Sequence, residues 1–356
     1  MNILKIVGTG LLAITGIGAA FGPGAASAQT AAAAADTAGK GAPQLAILDT
    51  DIGDDIDDAF ALALLLRSPE VELLGITTAF GDTDLRARLV DRFLAAECNS
   101  GAEGIPVVPG IPTPHKNVFT QAAYAKSEPF RSRCLAPGNL GERLKESERW
   151  EVERKHHDAA GFLLRKIKEF PGAITLIAIG PLVNVREAIA RDPATFRKLK
   201  RVVMMGGSVY RGYGDNRPPE PEWNILCDPQ GAMALLASGV PVFMMPLDST
   251  QIHLEEAQRE KIFGFGSPLT DQLTLLYHQW MDHAENRSAT PTLFDPVAVA
   301  YAVNPELCPM KSLRLQVDEK GFTRPVDGEP NANVCVKSDE AGFLDLLLGR
   351  VASAER

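Results

Sequence analysis

The stretch that most constrains the fold joins two apolar segments through a loop crowded with acidic residues. An apolar run over residues 45–48 precedes the loop, and an apolar helix is expected to follow over residues 59–66. Six carboxylates lie within ten positions, at Asp49, Asp51, Asp54, Asp55, Asp57 and Asp58. Clustered like charges are costly unless a cation neutralises them, and carboxylate oxygens suit Ca²⁺ or Mg²⁺. The stretch therefore predicts a metal site at the end of a strand, with a solvated acidic turn as the alternative interpretation.

Apolar strands and helices alternate along the rest of the chain. Strands are predicted over residues 72–78, 106–108, 174–179, 202–205 and 242–245, with more strands within 313–336. Helices are predicted over residues 85–96, 158–170, 182–190, 231–237, 272–285, 296–302 and 343–351. This alternation predicts an α/β fold whose mostly parallel sheet is covered by helices on both faces. Residues 117–140 have weak periodicity and are expected to be irregular.

The N-terminus has the organisation of a secretory signal peptide. A lysine and an apolar run precede Ala26-Ser27-Ala28, a small-x-small cleavage site. We therefore expect a signal peptide over residues 1–28, a flexible leader over 29–41 and one folded domain over 42–356. An uncleaved N-terminal anchor is the alternative. Export predicts a periplasmic or secreted protein, and no later segment has the length of a membrane span, so no membrane contact is expected after cleavage.

The charge and the cysteines narrow the class of protein further. A formal net charge of −9 argues against nucleic-acid binding, which favours basic surfaces. The odd number of cysteines, five, leaves at least one thiol unpaired. Cys98 with Cys134 and Cys308 with Cys335 are the expected disulfides, and Cys227 the expected free thiol, although the sequence leaves the pairing open.

Four further polar loops are expected where predicted strands or helices meet. They contain Gly81-Asp82, residues 180–184, residues 204–207 with 222–224, and residues 294–296. Because the C-terminal ends of parallel strands share one edge of a sheet, these loops should converge on the acidic loop.

The motifs in these loops resemble those of the nucleoside hydrolase family, the inosine–uridine-preferring N-ribohydrolases. The matching stretches are DTDIGDDIDDAFAL (49–62), IGPLVN (179–184), MMGG (204–207), EWNILCDP (222–229) and FDPVAVAY (294–301). They span nearly all of the expected mature chain in the family's order and approximate spacing.

The resemblance implies a Rossmann-like α/β fold and hydrolysis of the bond between ribose and base, with a ribonucleoside as the substrate. It implies a Ca²⁺ ion that is held by Asp51, Asp58, Asp295 and the main-chain carbonyl of Val183, and that binds the ribose diol. Asp51 would be the general base. The residues expected to contact the substrate are Asp57, Asp82, Met205, Glu222, Trp223, Asn224 and Phe294. Whether the chain forms a homodimer or a homotetramer is left open.

Three positions depart from the family's pattern. The acidic loop is two residues longer, so Asp57-Asp58 aligns with the final acid pair only across a gap, and an ungapped alignment selects Asp55 instead. Asp82 stands where Asn is usual. Phe294 stands where many members have the His that is the usual candidate to protonate the leaving base. His278 and His283, on the preceding predicted helix, are alternative candidates, and solvent is another source of the proton.

The sequence leaves two alternative functions open. The missing His favours a periplasmic protein of the same fold that binds nucleosides without hydrolysing them. Asp49-Thr50-Asp51 at a strand end is also similar to the nucleophile motif of haloacid-dehalogenase-like phosphatases, but that family's distant Lys and later acid pair are not placed convincingly here.

Overall fold

A computed structural model of the chain describes residues 42–97, 102–114, 119–126, 152–283, 287 and 289–353. Within these ranges one nine-stranded sheet forms the centre of the molecule. The strands are β1 (Gln44–Thr50), β2 (Val71–Thr78), β3 (Val107–Pro109), β4 (Thr175–Ala178), β5 (Arg201–Met205), β6 (Val242–Met245), β7 (Met310–Val317), β8 (Thr323–Val326) and β9 (Ala332–Cys335).

The strand order places the acidic loop at a crevice in the sheet. The order is β3-β2-β1-β4-β5-β6-β9-β7-β8, and the first seven strands are parallel, whereas β7 runs antiparallel to both β9 and β8. The chain leaves β1 towards β2 on one side and returns to β4 on the other, so the strand order reverses beside β1. Open α/β sheets bind ligands at such a switch point.

Thirteen α-helices have both of their ends established. They are α1 (Asp57–Leu66), α2 (Thr83–Ala96), α3 (Ala122–Lys126), α4 (Ala159–Glu169), α5 (Val183–Arg191), α6 (Pro193–Phe196), α7 (Trp223–Cys227), α8 (Pro229–Ala237), α9 (Leu247–Thr250), α10 (Glu256–Phe263), α11 (Pro268–Met281), α12 (Phe294–Val303) and α13 (Glu340–Val351). No described helix has the combination of length and apolar character that a membrane span requires.

The sheet has a hydrophobic core on each face, as the alternation of elements predicts. Along β1, Leu48 belongs to the core that contains α1 and α12, whereas Ile47 belongs to the core that contains α4 and α5. Successive strand side chains point to opposite faces, so β1 contributes to both cores. The predicted α/β class with helices on both faces is confirmed.

Helices α1 and α12 are buried on almost all sides and pack against each other beside the sheet. Ala, Leu, Val and Phe fill their interiors, which is the composition of a helix enclosed by a core rather than one with a polar face. Each helix begins with acidic residues in its first turn, Asp57 and Asp58 in α1 and Asp295 in α12. The packing of the two helices therefore decides where these acids meet.

Several predicted helix boundaries shift because capping residues decide them. The helix predicted over 272–285 begins at Pro268, where Ser267 forms a capping box with Thr270, and ends at Met281. The helix predicted from residue 85 begins at Thr83 with Asp82 as its N-cap. Helix α10 was not predicted, since it buries only Ile262 and has no strong apolar stripe.

The cysteine predictions are confirmed where the structure describes them. A disulfide joins Cys308 to Cys335, with 5.6 Å between their Cα atoms. Cys227 is a free thiol at the end of α7. The expected partners Cys98 and Cys134, the signal peptide and most of the stretch predicted to be irregular lie outside the described residues.

Candidate active site

Three carboxylates from two helix N-termini form the centre of a cleft at the sheet edge. One carboxylate oxygen from each of Asp57, Asp58 and Asp295 lies within 4.8 Å of the others, and the three residues are 4% exposed. The main-chain N–H of Asp295 donates to Oδ2 of Asp57 at 3.1 Å, across 238 residues of chain. Thr50, at the end of β1, donates its hydroxyl to Asp58. The ends of β1, α1 and α12 therefore hold the cluster together.

These three carboxylates have the chemistry of a binding site for a hard cation. Burial raises the pKa of Asp57, Asp58 and Asp295 well above the usual value, and the negative charges of neighbouring aspartates raise it further. A divalent cation bound between them would remove both penalties, because oxygen donors at this spacing suit Ca²⁺ or Mg²⁺. The residues present fit a resident metal ion.

Asp51 lines the same cleft and lies in the loop that precedes α1. Burial raises the pKa of Asp51 to about 7, while the positive charge of Arg86 opposes this rise. The cleft is lined by Asp51, Asp54, Asp55, Asp57, Asp58, Ile179, Met205, Tyr213, Glu222, Trp223, Asn224, Phe294 and Asp295. The sequence prediction placed most of these residues in the site but missed Asp54, Ile179 and Tyr213.

Arg86 is a buried cation that the sequence prediction missed. Its side chain is fully buried, and its guanidinium donates to the carboxylate of Asp54 at 3.0 Å and to the main-chain oxygens of Asp51 and Ile52. A detectable signal was present, since Arg86 lies at helical spacing with the buried residues Leu89, Val90 and Phe93 of α2. A charged residue within an apolar stripe needs a buried partner, which the acidic loop supplies.

Glu222 lines the cleft and holds its surroundings in place by accepting main-chain hydrogen bonds. Its Oε2 accepts from the N–H groups of Gly207 at 2.8 Å and Ile225 at 3.2 Å, and its Oε1 accepts from that of Asn224 at 2.8 Å. Glu222 is the N-cap of α7, so it joins this helix to the loop after β5. The amide of Asn224 in turn donates to the main-chain oxygens of Ile179 and Met205 at 3.3 Å.

Aromatic rings form the side of the cleft away from the acids. Tyr213 and Phe294 contact edge to face with ring centroids 6.0 Å apart, and Trp223 contacts Phe80 in the same way at 6.3 Å. The main-chain N–H of Trp223 donates to the hydroxyl of Tyr213 at 2.9 Å. The cleft thus has an acidic floor and an aromatic wall.

Several predicted site residues do not line this cleft. The side chain of Asp82 is exposed and accepts from the main-chain N–H of Leu85 at 3.0 Å, so it caps α2. Val183 is the half-buried first residue of α5. His278 and His283 also lie outside the set of lining residues. Asn184 supports the acidic loop from beneath, because its amide donates to Asp49 at 2.7 Å.

Comparison with known proteins assigns this chain to a family. Residues 46–345 match the family model described as inosine-uridine preferring nucleoside hydrolase. The probable uridine nucleosidase 1 of Oryza sativa subsp. japonica is 30% identical over 284 residues, which cover 78% of this chain and 82% of the relative. The pyrimidine-specific ribonucleoside hydrolase RihA of Citrobacter koseri is 30% identical, with 86% of this chain and 97% of the relative covered.

Solved structures agree with this assignment. The plant nucleoside hydrolase PpNRh1 has a TM-score of 0.70 and 25% sequence identity, with 87% of this chain and 99% of that chain covered. A purine-preferring ribonucleoside hydrolase from Gardnerella vaginalis shares the fold, with a TM-score of 0.65, 23% identity, and coverage of 87% of this chain and 98% of that chain. The protein described here belongs to the inosine–uridine-preferring nucleoside hydrolase family and is an N-glycosyl hydrolase.

Proposed function

We propose that the protein hydrolyses the N-glycosidic bond of ribonucleosides in a Ca²⁺-dependent reaction that releases ribose and free base. The observation that carries this proposal is the convergence of Asp57, Asp58 and Asp295 within 4.8 Å of one another in a buried cleft. Buried carboxylates at this separation need a cation, and their hard oxygen donors favour Ca²⁺ over softer metals.

Each part of the cleft has a role in this proposal. Asp51, Asp57, Asp58 and Asp295 would hold the ion. When bound, the ion would supply charge to orient the ribose diol and to lower the pKa of water. Asp57 would also accept a hydrogen bond from the 2′-hydroxyl, and Met205, Glu222 and Asn224 would border the sugar.

Asp51 is proposed as the general base. Cleavage of the bond develops positive charge on the sugar ring, so a water molecule must attack C1′ and lose a proton. Asp51 lines the cleft beside the metal cluster, where its carboxylate could accept the proton of a water molecule bound in the site. A neighbouring divalent cation would favour the ionised form that a base needs.

The metal proposal is tested by removal and replacement. The purified protein is treated with a chelator and then supplied with Ca²⁺, Mg²⁺ or Zn²⁺, and release of reducing sugar from uridine and inosine is measured. Activity should disappear on chelation and return best with Ca²⁺. Full activity under chelation, or the same loss of activity in Asp295→Ala and in an exposed-site control such as Asp215→Ala, would contradict the proposal.

The non-hydrolytic alternative is not favoured, since the chain belongs to a family of N-glycosyl hydrolases. It makes a distinct prediction, because a binding protein would retain nucleoside affinity while releasing no sugar from a broad panel of nucleosides.

We also propose that the protein is exported and that its mature chain begins at Gln29. The cleavage pattern at Ala26-Ser27-Ala28 and the disulfide between Cys308 and Cys335 support an oxidising compartment. N-terminal sequencing of the protein from the extracytoplasmic fraction tests this proposal, which fails if the isolated chain retains residues 1–28 and stays with the cytosol.

A further inference from the structure

We propose that the hydroxyl of Tyr213 donates a hydrogen bond to the nucleobase as it leaves, an inference that rests on the proposed nucleoside hydrolysis. Tyr213 lines the cleft, and its ring packs edge to face against Phe294, the residue that immediately precedes Asp295. The ring contact therefore fixes the hydroxyl relative to the acidic floor.

The hydrogen bonds of Tyr213 leave its own proton for a ligand. The oxygen accepts from the main-chain N–H of Trp223 at 2.9 Å, and among the described residues none accepts the phenolic proton. A phenol can donate one hydrogen bond while it accepts another. Burial and the nearby charge of Glu222 hold the pKa of Tyr213 above its usual range, so the hydroxyl stays protonated.

The other polar groups of the cleft are poorly suited to assist a departing base. The carboxylates accept hydrogen bonds when ionised and repel the electron pair that moves onto the base. The amide of Asn224 is already directed at the main-chain oxygens of Ile179 and Met205. Among the described lining residues, Tyr213 is the one that carries a neutral hydroxyl able to donate a hydrogen bond.

The aromatic wall also indicates which part of the substrate meets Tyr213. A flat base packs favourably against rings such as those of Trp223 and Phe294, whereas the sugar hydroxyls are drawn to the acidic floor. With the sugar on the floor, the base lies along the wall, next to the hydroxyl of Tyr213.

The chemical balance requires no additional reactant. The oxygen of water bonds to C1′, the bond between C1′ and the base nitrogen breaks, and its electron pair goes to the base. Water gives one proton to Asp51, which then releases it to solvent, and the departed base takes one proton from solvent, so nucleoside and water become ribose and free base and Asp51 returns to its ionised form. Tyr213 stabilises the electron pair through a hydrogen bond and keeps its own proton.

The test compares leaving groups in a Tyr213→Phe variant, which retains the ring. Uridine and inosine have poor leaving groups, whereas the p-nitrophenolate of p-nitrophenyl β-D-ribofuranoside departs without assistance. We expect kcat on the nucleosides to fall about 10- to 100-fold, the value of a hydrogen bond to a developing charge. Turnover of the p-nitrophenyl riboside should change by less than about threefold, since its transition state does not need the donor.

Tyr210→Phe is the matched control, because Tyr210 belongs to the same loop but is 47% exposed and does not line the cleft. Equal losses on both substrate classes would overturn the inference and assign the hydroxyl to the sugar or to the main chain of Trp223. Unchanged nucleoside turnover would also overturn it. Failure of the unmodified protein to hydrolyse either class would instead refute the proposed function. Thermal unfolding of both variants with Ca²⁺ detects a folding defect.

Discussion

The guanidinium of Arg86 lies 3.0 Å from the carboxylate of Asp54, and the arginine side chain has no exposed surface. The same guanidinium donates to the main-chain oxygen of Ile52 at 3.0 Å and to that of Asp51, while its Nε donates to the main-chain oxygen of Phe80 at 2.8 Å. One buried cation from α2 thus fixes the backbone of the acidic loop and balances part of its charge.

Replacing Arg86 with Met should therefore destabilise the protein more than loss of a surface ion pair. Removing one partner of a buried pair leaves an uncompensated charge and costs about 3–5 kcal/mol. The free energy of unfolding, measured by urea titration with Ca²⁺ present, should fall by about this amount. Arg324→Met removes an exposed pair with Asp318 and should cost under about 1 kcal/mol. Equal effects of the two substitutions would show that Arg86 has no special role.

Substituting Asp295 with Asn should separate stability from metal binding. The amide has the shape of the carboxylate but lacks its charge, so it removes repulsion from the buried cluster. We expect the chelated variant to be more stable than the chelated parent at pH 8, while Ca²⁺ affinity and turnover fall at least about 100-fold. Calcium titration calorimetry and thermal unfolding measure both effects. Asp215→Asn, at an exposed surface position, should change neither property.

The metal-free protein should lose stability as the pH rises. A carboxyl whose pKa is higher in the folded chain than in the unfolded chain favours the folded state at low pH, and this contribution is lost as the pH increases. For Asp51 this stabilising contribution is lost between about pH 3.8, the pKa of the carboxyl in the unfolded chain, and about pH 7, its pKa in the folded chain. The raised pKa values of Asp57, Asp58 and Asp295 lower the stability in the same direction as the pH rises.

Bound Ca²⁺ should offset that loss, because it binds the ionised carboxylates. The difference in Tm between Ca²⁺-loaded and chelated protein should therefore be larger at pH 8 than at pH 5. The measurement is thermal unfolding across this range, and a difference that stays constant or shrinks as the pH rises would contradict the proposed cation cluster.

Glu222→Gln should weaken the wall of the cleft without removing the acidic cluster. The carboxylate accepts three main-chain N–H bonds through two oxygens, whereas a glutamine amide offers only one acceptor oxygen. At least one buried N–H would lose its partner, at a cost of about 1–3 kcal/mol. We expect a lower free energy of unfolding and a raised KM, with Ca²⁺ affinity nearly unchanged. A parallel loss of Ca²⁺ affinity would instead tie Glu222 to the metal.

The sequence determined the fold class and the identity of most site residues through local signals. Alternating apolar strands and helices predicted the parallel sheet, because each periodicity reflects which faces an element must bury. The run of acidic residues between β1 and α1 predicted a cluster of negative charges that a bound cation would neutralise. These signals are contained in neighbouring residues, so they can be read without knowing the packing.

Tertiary structure decided which of those residues share the cleft. Asp57 and Asp295 are far apart in sequence, and they meet because two buried helices, apolar beyond their first turns, pack with their N-termini together. Asp82 has the type expected of a substrate contact, yet the start of α2 uses its carboxylate as a cap. Tyr213 carries no local motif, and the apolar stripe around Arg86 indicates a buried partner without identifying it. Their roles arise from the approach of α2 to the acidic loop and of the loop after β5 to α12, and such approaches depend on the packing of the whole domain.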